Sequence, residues 1–361
     1  MEKLEALIGL NKIGEIGSVR LKRLLDSFGA FEQIMKASEH KLAQVPGIGG
    51  SLARKIVSIR KEDIENELAS AKRMGLKIIA IDDEGYPVNL KNIPGAPGVL
   101  YVKGSLIAED KLAIGIVGSR RASFYGLSQA CNFAFGLASQ GFTIVSGMAR
   151  GIDTLSHQGA LKANGRTIAV IGSGFNHLYP EENKGLAEKI SENGAVVSEF
   201  PLDARPLPQN FPRRNRLISG MSLGLLVVEA AQNSGALITA DFALEQGREI
   251  FAIPGKIDSL NSFGTNELIK QGAKPVTNLD DILEEFNFSS YPEVRSIDKI
   301  NKDLNNEEEK LYSLITKEAI QLDDLAEISG LGVARISGII FNLMVRRLIK
   351  EFPGKYYARC S

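Results

Sequence analysis

The chain has 361 residues, of which 44% are hydrophobic and 24% charged, as in ordinary globular proteins, and its length predicts two or three domains. Its 43 basic residues balance 43 acidic ones, so any affinity for nucleic acid must come from a local patch. The two cysteines, Cys131 and Cys360, lie far apart, which argues against a disulfide framework or a cysteine-based metal site. No apolar run is long enough for a signal peptide or a membrane span, so we expect a cytoplasmic protein with no membrane partner.

Residues 1–75 are predicted to form a domain of short helices. Two glycine-rich turns, Ile13–Gly17 and Val45–Gly49, each precede a basic helix, and this pattern resembles tandem helix-hairpin-helix motifs. In such motifs, glycines let backbone N–H groups approach a DNA phosphate. A helical protein-contact domain explains the turns equally well. The residues of the better-matching second copy, which form a secondary DNA-binding candidate, are Gly47, Gly49, Arg54 and Lys55.

Residues 76–288 are predicted to form an α/β domain. Its first strand, Leu76–Ile81, is predicted to lead into the domain as a flap or an edge strand. Six buried apolar strands follow from residue 111 onward. These strands are Ala113–Val117, Phe142–Val145, Thr167–Ile171, Ala195–Ser198, Leu223–Val228 and Glu249–Ile253. The predicted helices are Ser123–Ser139, Asp153–Asn164, Pro180–Asn193, Ile238–Gln246, Gly264–Gln271 and Asp280–Phe288. Strands that alternate with helices in this way predict a doubly wound parallel sheet.

A polar stretch, residues 289–306, is predicted to be a linker, and residues 307–361 are predicted to form a winged helix. The predicted helices are Glu307–Thr316, Leu322–Ser329 and Val333–Arg346, and the wing strands are Leu348–Phe352 and Lys355–Ala358. Such a module can bind duplex DNA through the second helix of its helix-turn-helix, here Val333–Arg346. A protein-interaction or packing role is favoured here, because Arg335 is the one cation in the first part of that helix.

The loops that follow the predicted strands are rich in glycine, hydroxyl and arginine residues. In an open parallel sheet these loops all meet at one edge, where ligands bind. Glycines permit close approach of the backbone, while hydroxyls and helix N-termini hydrogen-bond phosphate oxygens. The candidate DNA-binding residues of these loops are Gly118, Ser119, Arg120, Arg121, Gly147, Arg150, Gly151, Gly172, Gly174, Ser234 and Gly235.

The densest cluster of cations lies in the stretch Asn210–Ser222, which follows a predicted strand and a proline-rich loop. Pro212 fits the first turn of a helix, and three arginines near that helix N-terminus are misplaced for stability alone, because the helix dipole is already positive there. They make sense if a polyanion neutralises them. Its candidate residues, with the ring as a stacking platform for bases, are Phe211, Arg213, Arg214, Asn215 and Arg216.

An enzymatic interpretation is weaker. A Ser/His/Asp or paired-carboxylate site can be imagined from residues near the strand ends, namely Ser119, Asp153, His157, Glu199 and Glu229. The sequence contains no Gly-x-Ser-x-Gly elbow, no phosphate-binding P-loop and no cluster with metal-ligand spacing. Asp153 is better explained as a helix cap and His157 as a packing residue. We therefore predict no catalytic residue, no metal and no cofactor.

Taken together, these loops resemble the DNA-processing protein A family, also called DprA or Smf, over most of residues 90–285. The matching segments are Ile116–Arg120, Ser146–Asp153, Tyr179–Pro180 with Asn183, Ser198–Pro201, Phe211–Gly220, Ser234–Ala240 and Gly264–Ile269. The resemblance implies an extended Rossmann fold, a homodimer and no catalysis. It also implies binding and protection of single-stranded DNA and loading of the RecA recombinase onto it during natural transformation. In that role Arg120 would bind the DNA backbone and Phe211 would contact a base, while Asp203 stands where glycine is frequent.

Two alternatives are kept. The first is a nucleotide phosphoribohydrolase of the lysine-decarboxylase-like Rossmann group, which carries Pro-Gly-Gly-x-Gly-Thr-x-x-Glu after its fifth strand. Here the corresponding stretch, Glu229–Thr239, has no glutamate at that spacing. The second is an adaptor whose terminal modules dock proteins while the edge of the sheet has lost its ligand.

Overall fold

A computed structural model describes residues 2–286, 304, 306–316, 319–345, 348–352 and 354–359. The chain divides into two compact units, Met1–Arg295 and Ser296–Ser361. Most of the predicted linker 289–306 lies outside the described residues. The predicted domain boundaries near residues 75 and 306 therefore stay predictions.

The first unit begins with six short helices. They are α1 Lys3–Lys12, α2 Ser18–Phe28, α3 Phe31–Lys36, α4 Glu39–Ala43, α5 Gly50–Val57 and α6 Lys61–Arg73. The two glycine-rich turns end where α2 and α5 begin, and Gly17 and Gly49 are the N-cap residues of these helices. The buried side chains of the helices belong to one hydrophobic cluster with sheet residues such as Val99, Tyr101 and Ala169. The helices therefore pack directly on the sheet.

A nine-stranded sheet forms the centre of the first unit. Its strands are β1 Lys77–Ala80, β2 Val99–Gly104, β3 Ala113–Val117, β4 Thr143–Ser146, β5 Thr167–Val170, β6 Gly194–Ser198, β7 Gly224–Val227, β8 Glu249–Ala252 and β9 Lys274–Pro275. The strand order is β1-β2-β6-β5-β4-β3-β7-β8-β9. Strands β3 to β9 are parallel, while β1 and β2 are antiparallel to their neighbours. The predicted doubly wound, mostly parallel sheet is confirmed, with β1 at its edge.

Helices cover both faces of the sheet. They are α7 Val88–Lys91, α8 Phe124–Ser139, α9 Ile152–Lys162, α10 Lys184–Glu192, α11 Asn210–Met221, α12 Gly235–Glu245, α13 Phe263–Lys270 and α14 Asp280–Leu283. Buried residues of α11 and α12, such as Leu217 and Ala240, form the core on one face, and residues of α8 and α9 form it on the other. The helix predicted over Pro180–Asn193 is shorter, because a 3-10 turn over Glu181–Asn183 precedes α10.

The strand order reverses at β3, and this reversal positions the candidate site. Strand β3 pairs with β4 on one side and with β7 on the other. The connections that leave β3 and β7 turn away from each other, so a crevice opens beyond the carboxyl ends of these two strands. Ligands of open α/β sheets bind in such a crevice.

The described residues of the second unit form three helices and a small antiparallel sheet. They are α15 Asn306–Leu314, α16 Leu322–Ser329, α17 Val333–Val345, β10 Ile320–Gln321, β11 Ile349–Phe352 and β12 Tyr356–Arg359, with strand order β10-β12-β11. Helices α15–α17 and the sheet share one apolar cluster. The winged-helix assignment stays a prediction. Within the described parts of both units, no helix has the length and apolarity needed to cross a membrane.

Candidate nucleic-acid interface

A cleft of about 1050 Å³ lies beyond the carboxyl ends of β3 and β7. The predicted site residues that line it are Gly118, Ser119, Arg120, Arg121, Phe211, Arg214, Asn215, Ser234 and Gly235. Three of its lining residues are arginines, and the single carboxylate among the described lining residues, Asp153, is buried. The fold therefore brings these predicted residues from three separate parts of the chain, residues 118–121, 211–215 and 234–235, to one cationic cleft.

An arginine and two aromatic rings meet inside the cleft. The guanidinium carbon of exposed Arg120 lies 5.2 Å from the ring centroid of Phe211, which is a cation–π distance. The ring of Tyr179 is tilted by 59° against Phe211, at 5.9 Å between centroids. A Cβ atom at Gly172 would lie 2.9 Å from the Phe211 ring, so this glycine makes room for it. Phe211 is thus held in place and half exposed.

The loop that carries Arg120 is fixed by backbone contacts on both sides. The N–H of Ser119 donates to the carbonyl of Glu229 at 2.8 Å, which ties the loop to the end of β7. Gly151 has a φ of 77°, and a Cβ atom there would lie 2.5 Å from the Ser119 carbonyl oxygen. Gly151 therefore allows the loops after β3 and β4 to touch, which places Arg120 at the cleft.

Arg214 lies in the interior, in contrast to the other cations predicted for this helix. It is 3% exposed, and its Nη1 donates to the carbonyl oxygens of Gly147 and Val170. A Cβ atom at Gly147 would lie 2.0 Å from that nitrogen, so the guanidinium occupies the space that the glycine leaves. Burial lowers the pKa of Arg214 to about 10, against the pull of the nearby Asp153 carboxylate. Burial also raises the pKa of Asp153, which Arg214 opposes.

Arg213 and Arg216 lie on the other side of α11 and do not line the cleft. Arg216 donates to the buried carboxylate of Glu199 and to the carbonyl of Gly95. Arg213 donates to the carbonyl of Gly14 at 3.3 Å, and the side chain remains 40% exposed. These two arginines connect α11 to the helical segment and its supporting loops, which explains their charge without a ligand.

Five predicted residues of the strand-end loops lie outside the lining of the cleft: Gly147, Gly151 and Gly172, described above, and Arg150 and Gly174. Arg150 is exposed and forms a two-pronged ion pair with Glu182, which raises the pKa of Arg150. Gly174 packs against the backbone, since a Cβ atom there would lie 2.1 Å from the Leu202 carbonyl oxygen. Gly174 therefore serves the turn itself.

The secondary candidates in the helical segment are partly paired with acids. Lys55 lies 2.6 Å from Glu15, and Arg54 lies 3.6 Å from Glu39. Gly47 has a φ of 84°, a left-handed conformation that favours glycine in the turn before α5. These residues keep a phosphate-binding role as a prediction only.

The carboxylates and the histidine considered for catalysis have structural partners. Glu229 accepts hydrogen bonds from the N–H and hydroxyl of Ser123, the N-cap of α8. Asp153 accepts from the Ala149 N–H at 3.2 Å, and His157 Nδ1 lies 2.7 Å from the Thr167 hydroxyl. Among the residues with described positions, no group of His, Cys, Asp or Glu is arranged to hold a metal ion.

Several lining residues were not among the predicted site residues, and four of them are Tyr179, Leu260, Asn261 and Phe263. Each is in an irregular segment or at a helix start far along the chain from Arg120, so spacing in the sequence does not reveal them. The available signal was the placement of aromatic residues beyond the ends of predicted strands.

Comparisons with known proteins agree with this geometry. A family model described as DNA recombination-mediator protein A matches residues 77–287, and a model of a SAM-like helix-hairpin-helix tandem matches residues 5–63. Protein Smf of Escherichia coli (strain K12) is 41% identical over 319 residues, which is 87% of this chain and 85% of that protein. DNA processing protein DprA of Bacillus subtilis (strain 168) is 44% identical over 60% of this chain and 74% of its own length.

Two similar solved structures are also of DNA processing protein A. The X-ray structure of DNA processing protein A from Streptococcus pneumoniae is 34% identical with a TM-score of 0.69, over 79% of this chain and 98% of that one. The protein from Helicobacter pylori, solved to study its single-stranded DNA binding mode, is 27% identical with a TM-score of 0.52, over 58% and 95% of the two chains. The expected resemblance to the DNA-processing protein A family is confirmed. The family is described as one of recombination mediators and not of enzymes, as predicted. The chain belongs to the DNA recombination-mediator protein A family.

Proposed function

We propose that this chain binds single-stranded DNA without catalysis, in the cleft beyond β3 and β7. The observation that carries the proposal is the exposed guanidinium of Arg120 stacked at 5.2 Å on the half-exposed ring of Phe211. Proteins that bind single strands regardless of sequence combine a cationic groove with rings on which bases stack. The related Helicobacter pylori protein, whose structure was described for its single-stranded DNA binding mode, supports the same ligand.

Phosphates and bases would occupy different parts of the cleft. Arg120 and Arg121 are its exposed cations, and the start of α12 at Ser234 and Gly235 adds a helix N-terminus that favours negative charge. A base would stack on Phe211 in place of the Arg120 guanidinium. The Arg120 side chain would then rotate toward a phosphate group of the DNA. Arg214 would act from below, by holding the loop after β4 to the end of β5.

The test is a binding titration of a labelled oligothymidylate by fluorescence anisotropy. Arg120→Ala should weaken binding and reduce its dependence on salt by about one released counterion, because one phosphate contact is lost. Phe211→Ala should weaken binding by about 1–3 kcal/mol with an unchanged salt slope. Lys189→Ala, which removes an exposed cation of α10 outside the cleft, is the control. Equal affinities of the control and both cleft variants would contradict the proposal.

The wider role is also proposed: a homodimer in the cytoplasm that protects incoming single strands and loads the RecA recombinase onto them during natural transformation and homologous recombination. The family description as a recombination mediator supports it. The test is the rate of RecA filament formation on single strands coated with single-strand binding protein. Wild type should accelerate it and Arg120→Ala should not, while acceleration by Arg120→Ala equal to that of wild type would separate loading from the cleft.

A further inference from the structure

One wall of the cleft, formed by residues 260–263, carries exposed apolar side chains. Phe263 and Leu260 line the same cleft as Phe211, and they are 48% and 84% exposed. Asn261 lies between them and donates to the Arg121 carbonyl at 3.3 Å, so this wall adjoins the loop that carries the exposed arginines. An exposed aromatic ring beside a cationic loop is the combination that single-strand binding uses.

The wall is held rigidly although its apolar side chains are exposed. The N–H of Gly264 donates to the Ala230 carbonyl at 2.7 Å, which anchors the start of α13 to the end of β7. Asn266 and Gly255 exchange two hydrogen bonds of 3.1 Å, which tie α13 to the loop after β8. The backbone that carries the Phe263 ring is fixed in this way, so it needs little ordering when a ligand arrives and less affinity is lost on binding.

We propose that Phe263, with Leu260 beside it, forms a second base-binding subsite for the same single strand that Phe211 engages. The inference rests on the proposed function and extends it to the length of DNA bound. The strand would run along Arg120 and Arg121, with bases stacked at Phe211 at one end of the cleft and at Phe263 at the other.

Size and charge favour nucleobases as the occupant. A cleft of about 1050 Å³ is at the upper limit for a pocket that holds one small ligand, so it has room for more than one nucleotide. The described lining includes no exposed carboxylate, and the exposed side chains of Gln232 and Asn233, with the partly buried Asn261, can hydrogen-bond base edges. The wall is also continuous with the surface proposed for the phosphates.

The experiment compares two oligothymidylates, of about 4 and about 12 nucleotides, on the full chain by fluorescence anisotropy. Phe263→Ala should weaken binding of the longer strand about 5- to 150-fold, as expected for one lost stacked base, and leave the short strand and the salt slope unchanged. Phe263→Trp, which keeps a ring, should restore the affinity. Leu244→Ala removes an exposed apolar side chain of α12 that does not line the cleft and should have no effect.

Each contrary outcome has a distinct meaning. If wild type binds the longer strand and Phe263→Ala binds it equally well, the second subsite is wrong while the proposed function stands. If wild type binds neither strand, the proposed function itself fails. If Phe263→Ala changes the sedimentation of the DNA-free protein but not its affinity for DNA, the ring contacts a second copy of the chain, and the subsite is again wrong.

Discussion

Arg120 and Arg214 carry the same side chain, yet their surroundings give them different roles. Arg120 is exposed above the Phe211 ring, where its charge is available to a phosphate. Arg214 is buried against the carbonyls of Gly147 and Val170 and near the Asp153 carboxylate. A buried charge is stable only where hydrogen bonds and an opposite charge compensate its lost hydration. Arg214 therefore supports the cleft, whereas Arg120 is proposed to contact the ligand in it.

The interior role of Arg214 predicts a loss of stability when its charge is removed. Arg214→Met should lower the free energy of unfolding by on the order of 3 kcal/mol, because two carbonyls lose their donor and the Asp153 carboxylate loses its nearby positive charge. The exposed Arg121→Ala should change it by no more than about 0.5 kcal/mol. Urea unfolding measures both. An Arg214→Met protein as stable as wild type but unable to bind DNA would favour direct contact with the ligand.

His157 predicts a pH dependence of stability. Burial lowers its pKa to about 3, and the Arg214 charge acts in the same direction, whereas the unfolded chain has the ordinary value near 6.5. The unfolded state therefore binds a proton below pH 6.5 that the folded state refuses, so this stability is present above pH 6.5 and is lost as the pH falls toward 3. The loss is at most about 1.4 kcal/mol per pH unit.

The measurement is urea unfolding at pH 7 and pH 5. Wild type should lose up to ~2 kcal/mol over this range, and His157→Gln, once its lower starting stability is subtracted, should lose clearly less. His177→Gln, at an exposed position, should keep the wild-type dependence. A His157→Gln protein with the full wild-type loss would assign the proton uptake to other groups.

At the scale of elements, helix α11 contacts the cleft on one side and the residues Gly14 and Glu199 on another. Phe211 and Arg214, three residues apart, face the cleft and the loops beneath it, while Arg213 and Arg216, also three apart, face Gly14 and Glu199. Residues three apart share one side of a helix, so the two pairs occupy two sides. The helix thus connects the cleft to the helical segment 1–75.

The start of α12 gives a prediction for a helix N-terminus. A Cβ atom at Gly235 would meet no other atom within 4 Å, so Gly235→Ala should fold with its stability changed by less than about 1 kcal/mol. If a phosphate approaches this backbone, the added methyl should weaken single-strand binding about tenfold, as for one lost charge-assisted hydrogen bond. Gly185→Ala, equally open and on α10, is the control. Unchanged affinity would place the phosphates elsewhere.

At the scale of the whole molecule, the helical segment and the sheet share a core. Glu67 of α6 is buried; its Oε1 accepts hydrogen bonds from the Tyr101 hydroxyl at 3.1 Å and the Leu202 N–H at 2.8 Å. Lys12 pairs with the same carboxylate. The second unit, Ser296–Ser361, has its own cluster of buried residues. The two ends of the chain should therefore respond differently to truncation.

A chain that ends at residue 295 should unfold at the same urea concentration as the first unit of the full chain and should bind single strands comparably. A chain that begins at residue 76 should be markedly less stable, because buried apolar surface of the sheet is exposed to water. Urea unfolding and anisotropy titrations test both. Undiminished stability of the chain beginning at residue 76 would show that the segment 1–75 folds and acts separately.

Much of this architecture follows from local patterns in the sequence. Apolar runs such as Ala113–Val117 are shielded from water only in a strand that is buried on both faces. The alternation of such runs with helices predicts the parallel sheet. Because the carboxyl ends of parallel strands share one edge, Gly118 to Arg121 and Ser234 to Gly235 could be expected to meet, and they do. The position of Phe211 at the start of a predicted helix also placed its aromatic ring at this edge of the sheet.

The tertiary structure decided which of the clustered arginines meets solvent. Both sides of α11 carry arginines, so helical periodicity alone does not tell which of them is buried. Arg213 faces Gly14 and stays 40% exposed, whereas Arg214 fills the space at Gly147. It also brought Phe263 to the cleft from a part of the chain distant in sequence. Local propensities act over a few residues, whereas the burial of a charge and the walls of a cleft depend on segments that only folding brings together.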